Sequence, residues 1–185
     1  MGKKYELTDD TIMILSINSD TILHRIKALK NFNDVKKGDL GGYVEKEDNL
    51  SHCDNCWVYD NAKVYGEAKV YDNAEVRDNA EVRENAKVCY NAKVYGDAEV
   101  YDEAELCGNA KVYDEAKIFG NSIVCGEAEV YDNAKVYGYS EVCDNAKVYD
   151  NAEICGNTKV HWYRKACNVK IRQWLSLVNN YSNLY

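Results

Sequence analysis

The chain has 185 residues, 46% of them hydrophobic and 29% charged, with no proline and a formal net charge of −8. That length fits one domain with small end pieces, and no run of about 18 apolar residues exists to cross a membrane as a helix. The acidic balance argues against direct nucleic-acid binding, which needs a basic surface set against phosphate.

Met1 to Asp10 carries charges where a secretory signal has an apolar core, so the expected location is cytoplasmic. In that setting the eight cysteines are expected as free thiols. Residues 1–57 read as an N-terminal β cap, with a strand over Thr21–Leu29 and a Gly41-Gly42 turn leading into the first coil of a repeat region. Cys53 and Cys56, beside His52, have the one metal-like spacing in the chain. A structural zinc site takes four ligands, usually from two such pairs, and there is no second pair. The segment reads instead as a degenerate repeat with Cys56 in a small inward slot. No metal and no cofactor are expected.

From residue 58 to 160 the chain repeats every six residues. Aliphatic residues stand at Val58, Val64, Val70, Val76 and onward through Leu106, Ile118 and Ile154 to Val160, without an insertion. Four residues after each comes a small one, Ala62, Ala68, Ala74 and so on, relaxing to Ser122, Ser140 and Thr158. A period of six turns successive Val about 600° around a helix, so helix is excluded. Ala, Lys/Glu, Val, Tyr alternates in and out as a strand does, and Asp-Asn, Gly-Asn or Gly-Glu supplies a turn. One strand-turn unit cannot bury its Val alone, so units must coil and stack. Cys89, Cys107, Cys125 and Cys143 recur every 18 residues. Three units therefore complete a lap, giving a triangular prism of about 5.7 coils and about 27 Å at ordinary strand spacing.

With this phase of aliphatic and small residues the chain resembles the hexapeptide-repeat left-handed β-helix family. Gly38-Asp39-Leu40-Gly41-Gly42-Tyr43-Val44-Glu45, Asn49-Leu50-Ser51 and Cys56-Trp57-Val58-Tyr59 are similar to its YdcK-like branch, found in bacteria and their phages. The resemblance covers roughly residues 22–160 and implies the left hand of the coil. The chain departs from the common pattern in having Tyr or Cys directly after the aliphatic residue, with Gly or Asp one later. The fold class expected is all-β: a single-chain left-handed parallel β-helix with the N-terminal β cap and a short C-terminal α-helix. Residues 161–185 form a basic and aromatic tail in which Ile171, Trp174, Leu175, Val178 and Tyr181 fall at helical spacing from Asn168 onward. Its apolar face is expected to cover the last coil or pair with another chain. The expected assembly is a homo-oligomer, a dimer before a trimer.

The prism has three unlike faces. The first carries Tyr59, Arg77, Tyr95, Tyr113, Tyr131 and Tyr149; the second Tyr65, Arg83, Tyr101, Phe119, Tyr137 and Cys155; the third Tyr71, Cys89, Cys107, Cys125, Cys143 and His161. Aromatics in register shield one another and stiffen a sheet, and a stacked column is also a flat contact platform. Free cysteines on the third face serve packing, since stacked parallel neighbours rarely meet the torsion a disulfide needs. Residues 58–160 hold 21 acidic and 11 basic side chains. Asp60, Asp78, Asp97, Asp114, Glu115, Asp132 and Asp150 line one turn corner. Such a ridge serves solubility, or draws in a basic groove on a partner.

The acyltransferases of this fold use a histidine base near a cleft. His24, His52 and His161 all lie outside the repeats, and no loop interrupts the hexads, so no catalytic residue is assigned. The resulting expectation is a non-enzymatic binding protein. In its concrete form it is a phage or prophage accessory protein in a bacterial host cell, whose acidic, Tyr-rich prism blocks a host protein with a basic groove. A degenerate hexapeptide acyltransferase and a self-assembling structural module are the alternatives.

Overall fold

Each hexad folds as its alternation requires. A computed structural model describes residues 2–17 and 20–172. In it the residue pair ending on each aliphatic position is a short strand, from Trp57–Val58 and Lys63–Val64 onward to Lys159–Val160. The short linker to the next strand is a corner. Its decisive residue is the second after the aliphatic one. Asp60, Asp72, Asp78, Asp114, Asp132 and Asp150 hold φ between 52° and 59° there, and Gly66, Gly96 and Gly108 between 68° and 71°. The left-handed region therefore falls on the Asp/Gly slot, not on the Asn after it. Glycine enters it freely, and Asp enters it at reduced cost because a short carboxylate finds nearby hydrogen bonds. Here the carboxylate reaches the next coil: Asp78 Oδ2 accepts the Gly96 N–H at 2.9 Å, and Asp132 Oδ2 accepts the Asp150 N–H at 3.0 Å.

Three corners make one lap, so each strand pairs in parallel with the strand one coil away. The first face stacks Val58, Val76, Val94, Val112, Val130, Val148 and Ala166. The second stacks Val44, Val64, Val82, Val100, Ile118, Val136, Ile154 and Ile171. The third stacks Val70, Val88, Leu106, Val124, Val142 and Val160. The result is a left-handed parallel β-helix of about seven coils, bounded by three sheets. Cys89, Cys107, Cys125 and Cys143 come directly after four successive rungs of the third face and lie one above another.

The interior is filled by two kinds of column. The residues of the hexad's aliphatic slot from Val58 to Val160, and their Ala partners, are at most 1% exposed. Each buried aliphatic side chain contributes about 1.5–3 kcal/mol. Where Ala gives way to Ser122, Ser140 and Thr158, the hydroxyls donate to the carbonyls of Phe119, Tyr137 and Cys155 at 2.7–2.8 Å. The polar substitutions thus leave no buried hydroxyl unpaired.

The N-terminal cap is built into the second face. Strand β1 (Tyr5–Ile14) forms an antiparallel hairpin with β2 (Thr21–Ala28), and β2 pairs with β3 (Leu40–Val44). Strand β3 then pairs in parallel with Lys63–Val64, making one ten-stranded sheet. Gly41 and Gly42 allow this approach, because a Cβ on either would fall 2.5 Å from Val58 O or 2.4 Å from Ala62 O. Trp57 plugs the opening, edge-on to Phe32 and Tyr5, and the Tyr5 hydroxyl donates to Leu50 O at 2.8 Å. An aromatic plug of this kind removes the open edge a β-helix would otherwise expose.

At the far end the helix expected from Asn168 does not begin there. Asn168 has φ 48° and turns one more corner, and Lys170–Ile171 pair in parallel with Glu153–Ile154. Ile171 thus serves a further rung, because the preceding coil offers it an open strand edge. Trp174, Leu175, Val178 and Tyr181 lie outside the described residues.

The corner geometry gives a direct test. Gly96→Asp should be tolerated better than Gly96→Ala. The Asp carboxylate finds the Asp114 N–H as donor, whereas Ala incurs a left-handed cost of about 1–2 kcal/mol with no bond in return. Urea midpoints of the two variants measure the difference, and equal midpoints would count against the carboxylate ladder.

Candidate functional site

Stacking in register turns each outward position into a ladder. On the flat faces several carboxylates of these ladders meet a lysine one coil away. Glu81 meets Lys63 at 2.7 Å, Glu99 meets Lys117 at 2.6 Å, Glu129 meets Lys147 at 2.7 Å and Glu141 meets Lys159 at 2.7 Å. Glu75, only 8% exposed, is held by Arg77 at 2.8 Å and Lys93 at 3.1 Å, and Glu153 pairs with Lys170. Burial works against the Glu99 carboxylate, but hydrogen bonds from Lys117 and Arg83 outweigh it and hold its pKa below the usual value.

The corner between the first and second faces differs. It gathers Asp60, Asp78, Asp97, Asp114, Glu115, Asp132 and Asp150 in two adjacent columns. The left-handed slot holds Asp60, Asp78, Asp114, Asp132 and Asp150; the next slot holds Asp97 and Glu115. Among the described residues none of the seven takes part in an ion pair, in contrast to the lysine-matched glutamates of the flat faces. The hydrogen bonds of six of them run along the ladder instead. Asp60, Asp78, Asp114 and Asp132 accept the next coil's N–H, while Asp97 accepts from Asn79 Nδ2 and Asp150 from Asn168 Nδ2, both at 3.1 Å. The negative charge is therefore positioned but not neutralised. Glu115, Asn133 and Asn151 of this corner also form one wall of a shallow groove of about 330 Å³, completed by Lys117, Lys135 and Glu153.

Beside the corner stands the Tyr column of the first face. Tyr95, Tyr113, Tyr131 and Tyr149 stack at 4.8, 4.9 and 5.2 Å with planes within 6° of parallel. Tyr101, Phe119 and Tyr137 stack on the second face at 4.9 and 4.8 Å. Strand spacing imposes this separation, and the rings shield one another's faces. Burial raises the pKa of the Tyr95, Tyr113 and Tyr131 hydroxyls, so they remain neutral donors. Each column carries a cation–π contact toward the cap: Arg77 lies 3.7 Å over Tyr59, and Arg83 lies 4.0 Å over Tyr101.

The third face corrects one expectation. Cys125 and Cys143 form a disulfide, with Cα atoms 4.6 Å apart. Parallel stacking in register brings the two backbones inside the range such a bond spans. Cys89 and Cys107, the neighbouring rungs, remain thiols, and burial pushes both pKa values up.

The histidines are placed at the ends. The His52 ring stacks on Tyr5 at 4.3 Å, and its Nδ1 accepts the Lys4 N–H at 3.2 Å. His24 Nδ1 is 3.1 Å from Thr8 O. His161 continues the cysteine column. Cys56 is fully buried and Cys53 exposed. Among the described residues no three His, Cys, Asp or Glu side chains gather as a metal site. One cluster had no signal in the sequence. Lys4 is completely buried, with Nζ 2.8 Å from Cys56 O and 3.2 Å from Cys56 Sγ. Burial lowers the Lys4 pKa and raises that of Cys56.

No family model matches the chain. Over 62 residues it is 34% identical to the uncharacterized acetyltransferase YdcK of Escherichia coli K12, a match taking in 31% of this chain and 19% of that protein. The chain thus spans about a fifth of the length of this relative. A hexapeptide-repeat character is common to both.

Acid titration and reduction each probe one of these contacts. The depressed Glu99 pKa makes its contribution to stability present above the unfolded-state value, about 4.3, and lost as pH falls through the folded value. Glu99→Gln should therefore lose less stability than the parent between about pH 5 and pH 2, as read by urea midpoints across that range. Reducing the Cys125–Cys143 bond, which spans 18 residues, should cost about 3 kcal/mol on loop length alone. Reductant should lower the parent's denaturation midpoint and leave that of Cys125→Ser, which removes the sulfur between Cys107 and Cys143, unmoved.

Proposed function

We propose that this protein is a binding scaffold, without catalysis, that offers its acidic corner and the adjoining Tyr95–Tyr149 column to a basic protein surface. The observation that carries this reading is the contrast in charge pairing. Glu81, Glu99, Glu129 and Glu141 on the flat faces are matched by lysines one coil away, while among the described residues the seven carboxylates of the corner have no ion pair and six of them are held by hydrogen bonds along the ladder. A stiff ridge loses little conformational entropy on binding, and its field favours encounter with a cationic groove. In the more specific form of the proposal the partner is a host protein that handles nucleic acid, the ridge takes the place of the phosphates, and the protein is phage-encoded. What supports the broader reading is the unneutralised charge of the corner, which favours a cationic partner surface.

The corner geometry also dictates how to test it. Charge reversal would remove acceptors the coils use, whereas Asp→Asn keeps an acceptor and tolerates positive φ. Asp114→Asn, Glu115→Gln and Asp132→Asn together should weaken binding of an oligoarginine peptide and flatten its salt dependence. Glu103→Gln, Glu105→Gln and Glu127→Gln, which lie off this corner, should do so less. Equal losses in both triple variants would reduce the corner to a solvated edge.

The second reading, an acyltransferase, draws on the name of the partial relative. His24 and His52 belong to the cap and His161 lies against Glu141 and Asp144, so no histidine faces the groove beside Lys117 and Lys135. Calorimetric titration with acetyl-CoA is expected to give no saturable heat; a stoichiometric isotherm would favour the enzyme.

A further inference from the structure

The third face carries a second feature, independent of the binding reading. Val142 pairs with Val160, and the Cys143 N–H donates to Val160 O at 2.9 Å. His161 therefore stands one rung beyond Cys143 in the same outward column. Its two ring nitrogens point at the residues flanking Cys143. Nδ1 lies 3.6 Å from Asp144 Oδ2, and Nε2 lies 3.7 Å from Glu141 Oε2. The imidazole is thus the next side chain of the column beyond Cys143, with a carboxylate near each ring nitrogen; Lys159 also holds Glu141, at 2.7 and 2.8 Å, and the Trp162 N–H donates to Asp144 Oδ2 at 3.2 Å. Its Nε2 is shut off from solvent and, among the described residues, has no hydrogen-bond partner. On the other side of the disulfide, Leu106 pairs with Val124, which sets the Cys107 thiol one rung from Cys125. The two bonded sulfurs are unequal as well. Cys143 is 8% exposed and stands one rung from the ring, whereas Cys125 is more open.

We propose that Cys125–Cys143 is an exchangeable disulfide with a built-in direction, in which a small thiol adds at Cys125 and Cys143 departs beside His161. The incoming thiolate attacks Cys125 Sγ along the open side. The Cys125–Cys143 bond breaks, a mixed disulfide forms on Cys125, and the electron pair leaves on Cys143. The His161 ring stands next in the column to that departing sulfur, and a leaving thiol stabilised by an imidazole neighbour exchanges faster. In a second step the Cys107 thiolate attacks Cys125 Sγ and expels the small thiol. The bond then joins Cys107 to Cys125, one coil nearer the cap. No oxidant or reductant is consumed, since one disulfide and one thiolate stand on each side of both steps. Burial holds the Cys107 thiol protonated, so the second step is the slower.

The test uses the oxidised full chain and reduced glutathione, with acid quenching, alkylation and peptide mapping by mass spectrometry. Early samples should carry glutathione on Cys125 and a free Cys143, and later ones a Cys107–Cys125 bond. Cys107→Ser should stop at the Cys125 adduct. His161→Gln should keep the disulfide but open about tenfold more slowly, with the fold checked by circular dichroism. Glutathione on Cys143, an even split between the two sulfurs, or an unchanged opening rate in His161→Gln would each overturn the proposal. Should His161→Gln fail to fold, the position of the adduct in the parent and in Cys107→Ser decides it alone.

Discussion

The constraint on which the rest of the molecule depends is parallel pairing in register at a separation of 18 residues. Once the backbone N–H of one coil donates to the carbonyl of the next, as Tyr95 to Val112 and Tyr113 to Val130 at 3.0 Å, every side chain faces its own counterpart. Like must then tolerate like at the spacing of neighbouring strands. Aliphatic columns do so by excluding water, and Tyr columns by stacking. Charged columns do so only when signs alternate or when a different partner intervenes.

Parts of the flat faces obey that electrostatic condition. Lys111, Glu129 and Lys147 alternate down the first face, and Arg83 and Lys117 close on Glu99 from opposite coils. The first corner departs from it. Asp114 stands two coils beyond Asp78, and Asp132 and Asp150 occupy the next two, without a cation between them. What makes the repetition tolerable is the next turn: Asp78, Asp114 and Asp132 each spend an oxygen on its backbone N–H, and Asp150 spends one on Asn168 Nδ2. A structural bond thereby fixes the direction of a charge whose remaining capacity faces solvent. The same residues serve the coil and shape the field outside it.

The hexad was legible because it obeys one rule over and over. A period of six with small and aliphatic slots leaves a single way to bury Val58 through Val160, and the recurrence of Cys89, Cys107, Cys125 and Cys143 declared three strands to the lap. The corner carboxylates were legible for the same reason, since a column in space is a column in the sequence. What escaped was aperiodic or depended on distance. Strand β1 has no repeat to match, and Lys4 lies in a charged segment whose burial rests on the plug around Trp57 and Cys56. The helical spacing of Ile171 lost to an available strand edge at Ile154. The stacking of Cys125 on Cys143 was legible, but that this one pair bonds was not, since Cys89 and Cys107 stack alike and remain thiols. The placing of His161 beside Cys143 needed Glu141 and Asp144 to be seen together.

Identical rungs also make length a modular quantity. The segment from Tyr95 to Val112 is one full lap, and removing it would join Val94 to Tyr113 with every column still in phase. The hairpin at one end would not sense the excision, because it touches only its immediate neighbours, and beside the disulfide Cys89 would take the place of Cys107. Natural selection can therefore tune how far apart the two ends stand in steps of a single storey, as one extends a telescope, without redesigning anything in between.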